Sequence, residues 1–139
     1  MKLAICTDVF ADLSYTDMLD KVKSLGIDAV EMTAGGWGAR KHCNTAELLA
    51  DEGKRKEFMG ELEKRGMRIS ALNTSCNPLW PSKTGEEYKK SMYDCATLAG
   101  LLGVKKIVAM AGLPAGSETD TTPNWITSTV SWPDFMAPA

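Results

Sequence analysis

A helical tail, a glycine and a short apolar strand follow one another three times in this chain. That recurrence restricts the fold more than any other feature. The phrase reads KVKSLGIDAVEM through Gly26, ELEKRGMRISAL through Gly66 and LAGLLGVKKIVAM through Gly103. Glycine suits the residue after a helix because the chain there commonly turns left-handed, which a residue with a Cβ does only at a cost. The three glycines are 40 and 37 residues apart, room for one strand, one helix and their loops.

A helix is expected before each glycine. The first starts at Ser14, with Asp17 three residues on as a capping partner, and sets Met18, Leu19, Val22 and Leu25 on one stripe. The second runs over residues 53–65 with Phe58 and Leu62 inward, preceded by a short turn capped by Asn44 with Glu47 at its third position. The third starts near Thr84 and aligns Tyr88, Met92, Cys95 and Ala99. Strands are expected over residues 3–7, 28–32, 68–73 and 105–110, rich in Ile, Val and Ala. Strand, helix and strand in alternation make a parallel sheet of right-handed crossovers.

Two architectures accept four such units: a small open sheet, or part of an eight-stranded barrel. The open sheet usually carries a glycine-rich phosphate loop after its first strand, and CTDVFADLS contains no glycine. Doubling the chain gives about 280 residues, within the range of a (β/α)8 barrel. The expected fold is therefore α/β, built of parallel (βα) units, as the N-terminal half of a (β/α)8 TIM barrel. Residues 1–139 then hold strands one to four, a polar loop over residues 112–132, and SWPDFMAPA, which opens like a helix and meets Pro138 before completing a turn.

Composition excludes several classes. The net charge of −2 gives no basic footprint for nucleic acid or for a membrane surface. No run approaches the roughly 20 apolar residues of a membrane span, and the short apolar start, broken by Asp8, is too brief for a signal peptide. A cytoplasmic location is the expectation. The four cysteines, Cys6, Cys43, Cys76 and Cys95, are scattered without a C-x-x-C and are expected to be reduced thiols. His42 and Cys43 with distant Cys76 make an incomplete zinc set.

The chain resembles the sugar phosphate isomerase/epimerase proteins of the xylose-isomerase-like barrel superfamily. The resemblance rests on KLAICTDVFADLSYTDMLDKVKSLGIDAVEM, on KHCN at residues 41–44, on ISALNTSCNPLWP at residues 69–81, and on TPNWIT followed by WPDF. It covers nearly the whole chain, but only the first half of such proteins. It implies proton movement beside a carbonyl, with a divalent metal (Mn, Mg or Zn) polarising the substrate oxygens. The resemblance puts the metal's carboxylate and His ligands on later strands, so no metal ligand is expected in this chain, which reads as truncated. Relatives commonly carry His where Trp80 stands. A related barrel lyase acting on glycosides or inositol derivatives is the alternative chemistry. A non-catalytic half-barrel is the alternative of another kind: four strands leave two open edges, which call for a homo-oligomer or a complementing chain.

The expected substrate is a small carbohydrate or sugar phosphate, and the candidate binding residues sit after strand ends. Asp8 follows strand one, as a mouth residue or a turn residue bonded to nearby amides. Glu31 ends strand two, either as a substrate-facing acid or as a buried acid paired with Lys2 or Arg68. His42, in KHCN, is a pocket-lining residue by the resemblance and otherwise a solvated loop residue. Asn73 and Asn77 flank the end of strand three, where amides suit sugar hydroxyls as donor and acceptor. Trp37, Trp80 and Trp125 lie in three strand-end loops, for sugar stacking or for loop packing. GGWG at residues 35–38 lacks the following helix that a phosphate cradle needs.

Overall fold

The three repeated glycines take the conformation that their position demands. Gly26, Gly66 and Gly103 have φ of 76°, 60° and 69°. In each case the next residue's N–H bonds the carbonyl five residues back: Ile27 to Val22, Met67 to Leu62 and Val104 to Ala99. This satisfies helix-end carbonyls and turns the chain toward the next strand. These details come from a computed structural model that describes residues 3–112, Ser117 and Thr119. Trp125, nearly all of the loop over residues 112–132 and the SWPDF segment lie outside the described residues.

Each helix also has a polar start. Helix α1 (Tyr15–Ser24) is capped by Ser14, whose oxygen accepts the Asp17 N–H and whose hydroxyl donates to the Asp17 carboxylate at 2.6 Å. Asn44 caps α2 (Thr45–Ala50) through the Glu47 N–H. Asp51 caps α3 (Glu52–Glu63) through the Lys54 N–H, so this helix begins one residue earlier than the expected Gly53. Ser82 caps α4 (Lys83–Leu102) through the Gly85 N–H. Leu25, expected on the buried stripe of α1, is 54% exposed, because the helix ends at Ser24 and the chain turns outward.

The strands β1 (Ile5–Cys6), β2 (Ala29–Thr33), β3 (Arg68–Asn73) and β4 (Ile107–Val108) form one parallel sheet in the order β1-β2-β3-β4. The two outer strands are shorter than the sequence implies. Each has a ladder partner on one side only among the described residues. After Cys6 the chain enters a 3-10 turn over Thr7–Phe10 instead of extending to Thr7.

The sequential strand order decides which face the helices cover. Right-handed crossovers that always step in one direction place every helix on the same side of the sheet. A single core confirms this. Met18, Leu19 and Val22 of α1, Leu48 of α2, Phe58 and Leu62 of α3, and Cys95, Leu98 and Ala99 of α4 meet Val30, Met32 and Leu72 of the central strands. The alternate strand residues, Cys6, Glu31, Thr33, Ala71 and Asn73, fall on the opposite face, which is helix-free among the described residues. A doubly wound sheet has helices on both faces; a barrel has this one-sided arrangement, with the helix-free face turned inward. No helix among the described residues is long and apolar enough to cross a membrane.

One irregularity sets the phase of β3. Val30 pairs with Ile69, but Glu31 pairs with Ala71, so Ser70 is an extra residue in the ladder. Its hydroxyl donates to the Val30 carbonyl at 2.9 Å. Beyond this bulge, Leu72 lies beside Met32 in the core and Asn73 beside Thr33 on the helix-free face.

Candidate active site

The carboxyl ends of β2 and β3 bring an acid and an amide together. The Asn73 side-chain NH2 donates to Glu31 Oε1 at 2.6 Å. The amide's orientation is fixed from its other end, because Asn73 Oδ1 accepts the Ser75 N–H at 2.9 Å. Glu31 is half-buried and makes no ion pair among the described residues, and its Oε2 takes no hydrogen bond there. Of the two partners expected for a buried Glu31, Arg68 is exposed and makes no ion pair with it, and Lys2 lies outside the described residues. One carboxylate oxygen is thus held by a neutral donor and the other is left open among the described residues.

The loop after β2 joins this pair to the end of β1. The Ala34 and Gly35 N–H groups both donate to the Asn73 carbonyl, at 2.9 and 3.2 Å. Gly38 then packs against the first strand's end: a Cβ there would lie 2.2 Å from Thr33 Cγ2 and 2.6 Å from Asp8 Oδ2. Asp8, Thr33, Glu31 and Asn73 therefore share one strand-end neighbourhood, with Cys6 Sγ 3.9 Å from Thr33 Oγ1. Asp8 keeps a turn role in its backbone, whose carbonyl accepts the Ala11 N–H.

The remaining candidates are placed elsewhere. His42 is buried, with Nε2 3.1 Å from the Leu13 carbonyl oxygen. It lines an open cleft of ≈ 530 Å³ between the helices, together with Tyr15, Lys41, Asn44 and Phe58, and none of the four strand-end residues lines that cleft. Asn77 shapes the turn after β3, accepting the Leu79 N–H on Oδ1 at 3.3 Å. Trp80 is half-buried and seats the start of α4, since a Cβ on Gly85 would stand 1.8 Å from its carbonyl oxygen. Trp125 lies outside the described residues. Thr33, Gly38 and Cys6 join the neighbourhood without having been singled out for it. The one hint in the sequence is that Thr33 and Cys6 are in phase with Glu31 and with one another across β1 and β2.

The other thiols are protected. Burial pushes Cys43 up to about 11 and Cys95 up to about 12, and it raises Cys76 as well. All four cysteines are free thiols. Among the described residues no three of His, Cys, Asp and Glu gather where a metal ion could sit. The divalent cation implied by the resemblance thus finds no ligand set among them.

No family model matches the chain. It is 52% identical over 136 residues to the uncharacterized protein YfiH of Bacillus subtilis strain 168, a match spanning 98% of this chain and 44% of the relative. Its coordinates superpose on the probable 3-DHS dehydratase AsbF, involved in petrobactin synthesis, from Bacillus anthracis. That match has a TM-score of 0.57 and 20% identity, covering 81% of this chain and 39% of AsbF. The fold is α/β, four parallel strands alternating with helices in one sheet, matching half of a TIM barrel. The chain spans less than half the length of YfiH and of AsbF. In such barrels, residues at the carboxyl ends of the strands face the substrate. Here those positions are held by Asp8, Glu31, Thr33 and Asn73.

Proposed function

We propose that the chain supplies the proton-transfer side of a sugar-modifying barrel, acting on a small carbohydrate or sugar phosphate by isomerisation or epimerisation. The observation that carries this is the Glu31–Asn73 contact at 2.6 Å on the helix-free face. Glu31 takes a proton from the carbon beside a substrate carbonyl and returns it to the carbonyl carbon, while the hydroxyl proton passes to the carbonyl oxygen; inversion of one carbon would take a second acid on the opposite face to return the proton. Asn73 holds one carboxylate oxygen so that the other meets the substrate in a fixed orientation. Asp8 supplies an acceptor for sugar hydroxyls, while Thr33, buried against Gly38, holds the loop to the strand end.

A second reading is favoured by the structural neighbour, which is described as a dehydratase. The same proton abstraction followed by departure of a hydroxyl group is a dehydration, and the lyase alternative belongs to this class. One experiment separates the two. A panel of aldoses, ketoses and inositol derivatives is incubated with the protein in D2O, with and without added Mg2+, and followed by proton NMR. Isomerase or epimerase chemistry replaces a C–H beside the carbonyl with deuterium and keeps the carbon skeleton hydrated. Dehydration gives new vinylic signals. Glu31→Gln abolishes either. Exchange that persists unchanged in that variant refutes the assignment of Glu31.

A further inference from the structure

Resting on the carbohydrate reading above, we propose that Trp37 is a fixed aromatic platform for the apolar face of the sugar ring. Trp37 is 56% exposed, although aromatic rings of this size bury about 150–250 Å² when they are used in a core. The loop that carries it is held as firmly as a buried element. Four consecutive backbone donors are satisfied: Ala34 and Gly35 by the Asn73 carbonyl, Gly36 by Ser91 Oγ at 3.0 Å, and Trp37 by the Ser75 carbonyl at 3.0 Å.

The glycines on either side allow this close seating. Gly36 has φ 71°, and a Cβ on it would stand 2.2 Å from the Ser75 carbonyl oxygen; Gly38 presses on Thr33 and Asp8. Tyr88 of α4 meets the indole edge-to-face, with centroids 6.1 Å apart and planes at 89°, which orients the ring while more than half of the residue stays accessible.

The loop therefore fixes its backbone over residues 34–37 and presents one large side chain, which is not folded into the core. Two of its four backbone anchors fall on Asn73, a member of the acid–amide pair. Asn73 bonds Glu31 through its side chain and the Trp37 loop through its carbonyl, and the residue after Trp37 touches Asp8. A pyranose or cyclitol presents a face of polarised C–H groups, which suits the electron-rich face of an indole, while its hydroxyls suit polar side chains such as Asp8 and Asn73, to which the loop's backbone is tied. A charged or purely aliphatic ligand would gain only one of these two contributions.

Saturation-transfer NMR tests the platform by binding alone, apart from turnover. The probes are D-fructose and myo-inositol, with glycerol as a polyol that has no ring face. With the wild-type chain, saturation is expected on the ring C–H protons of both cyclic probes and not on glycerol. Trp37→Ala weakens binding roughly tenfold, and Trp37→Phe restores it to within roughly threefold. Circular dichroism melts confirm that both variants fold. Saturation of the cyclic probes with no exchange in D2O refutes only the proton-transfer reading and leaves the platform standing. The proposal is overturned if the cyclic probes show no more saturation than glycerol, or if Trp37→Ala binds them as the wild type does. It is overturned equally if Trp37→Ala changes only the mass measured by light scattering, which makes the ring a contact between chains.

Discussion

Two glycines with the same backbone sign but different surroundings allow the close seating of the Trp37 loop to be measured. Gly26 and Gly36 have φ of 76° and 71°, so an alanine at either position pays a left-handed backbone penalty of about 1 kcal/mol. At Gly26 nothing lies within 4 Å of the added Cβ, and the penalty ends there. At Gly36 the Cβ would stand 2.2 Å from the Ser75 oxygen and 2.8 Å from its carbonyl carbon, atoms with no rotamer by which to move away. The loop has to lift by about 1 Å to restore ordinary contact. That movement breaks the hydrogen bonds from Trp37 to Ser75 and from Gly36 to Ser91, each worth about 1 kcal/mol. Gly36→Ala is therefore expected to cost about 3 kcal/mol against about 1 kcal/mol for Gly26→Ala. In a chain of this size these correspond to roughly 10 °C and 3 °C in Tm. Urea unfolding followed by circular dichroism reads both values from midpoints at a common m-value. Equal destabilisation of the two variants, within about 0.5 kcal/mol, would refute the reasoning.

Three further outcomes are expected. Cys43 and Cys95, raised by burial from 9.0 to about 11 and about 12, stay protonated in the folded chain after their unfolded counterparts have ionised. Stability is thus fully present below pH 9.0 and falls as pH rises from there towards 11; a flat urea midpoint across that window contradicts the burial of these thiols. The Arg65 guanidinium, 2.6 Å from Asp20, holds that carboxyl below its ordinary value by hydrogen bonding and ties α1 to the end of α3. Asp20→Asn should lower the urea midpoint at neutral pH and lose its effect as pH falls through the carboxylate range; an unchanged midpoint at every pH disproves the tie. The outer edges of β1 and β4 have no ladder partner among the described residues, and Ile107 and Val108 are 42% and 37% exposed. The chain is expected to self-associate or to take up a complementing chain. Light scattering that finds a stable monomer at high concentration argues against this.

Much of the architecture was legible because helix ends are local events. Gly26, Gly66 and Gly103 mark them, and Ser14 and Asn44 mark helix starts through bonds that span three residues. Such signals need no knowledge of the rest of the chain. Strand length was less legible, because it depends on whether a partner lies alongside. Apolar residues over 105–110 give only the two ladder residues Ile107 and Val108 on an outer strand. Similarly, nothing near His42 in sequence announces that its ring nitrogen meets the Leu13 carbonyl, 29 residues away. A lone histidine can be located in a loop from sequence, but its partner cannot.

The acid–amide pair shows the same division more sharply. Glu31 and Asn73 could each be named as strand-end polar residues, but strict alternation along RISALN groups Ile69, Ala71 and Asn73 on one face and Ser70 with Leu72 on the other. Either choice of face then fails. With Ile69 turned to the helices, Asn73 goes into the core and Leu72 goes out with Ser70. With Asn73 turned to the helix-free side, Ile69 leaves the core. The bulge at Ser70 resolves the conflict by changing phase within the strand: Ile69 and Leu72 both pack towards the helices, while Ala71 and Asn73 face away from them. The Ser70 hydroxyl, bonded to the Val30 carbonyl, supplies a donor where the ladder is interrupted. Asn73 is thereby in phase with Glu31 because of one extra residue upstream. A polar serine inside an otherwise apolar run is the trace that this device leaves in the sequence. The pairing it creates is a property of two strands in register, and neither strand carries it alone.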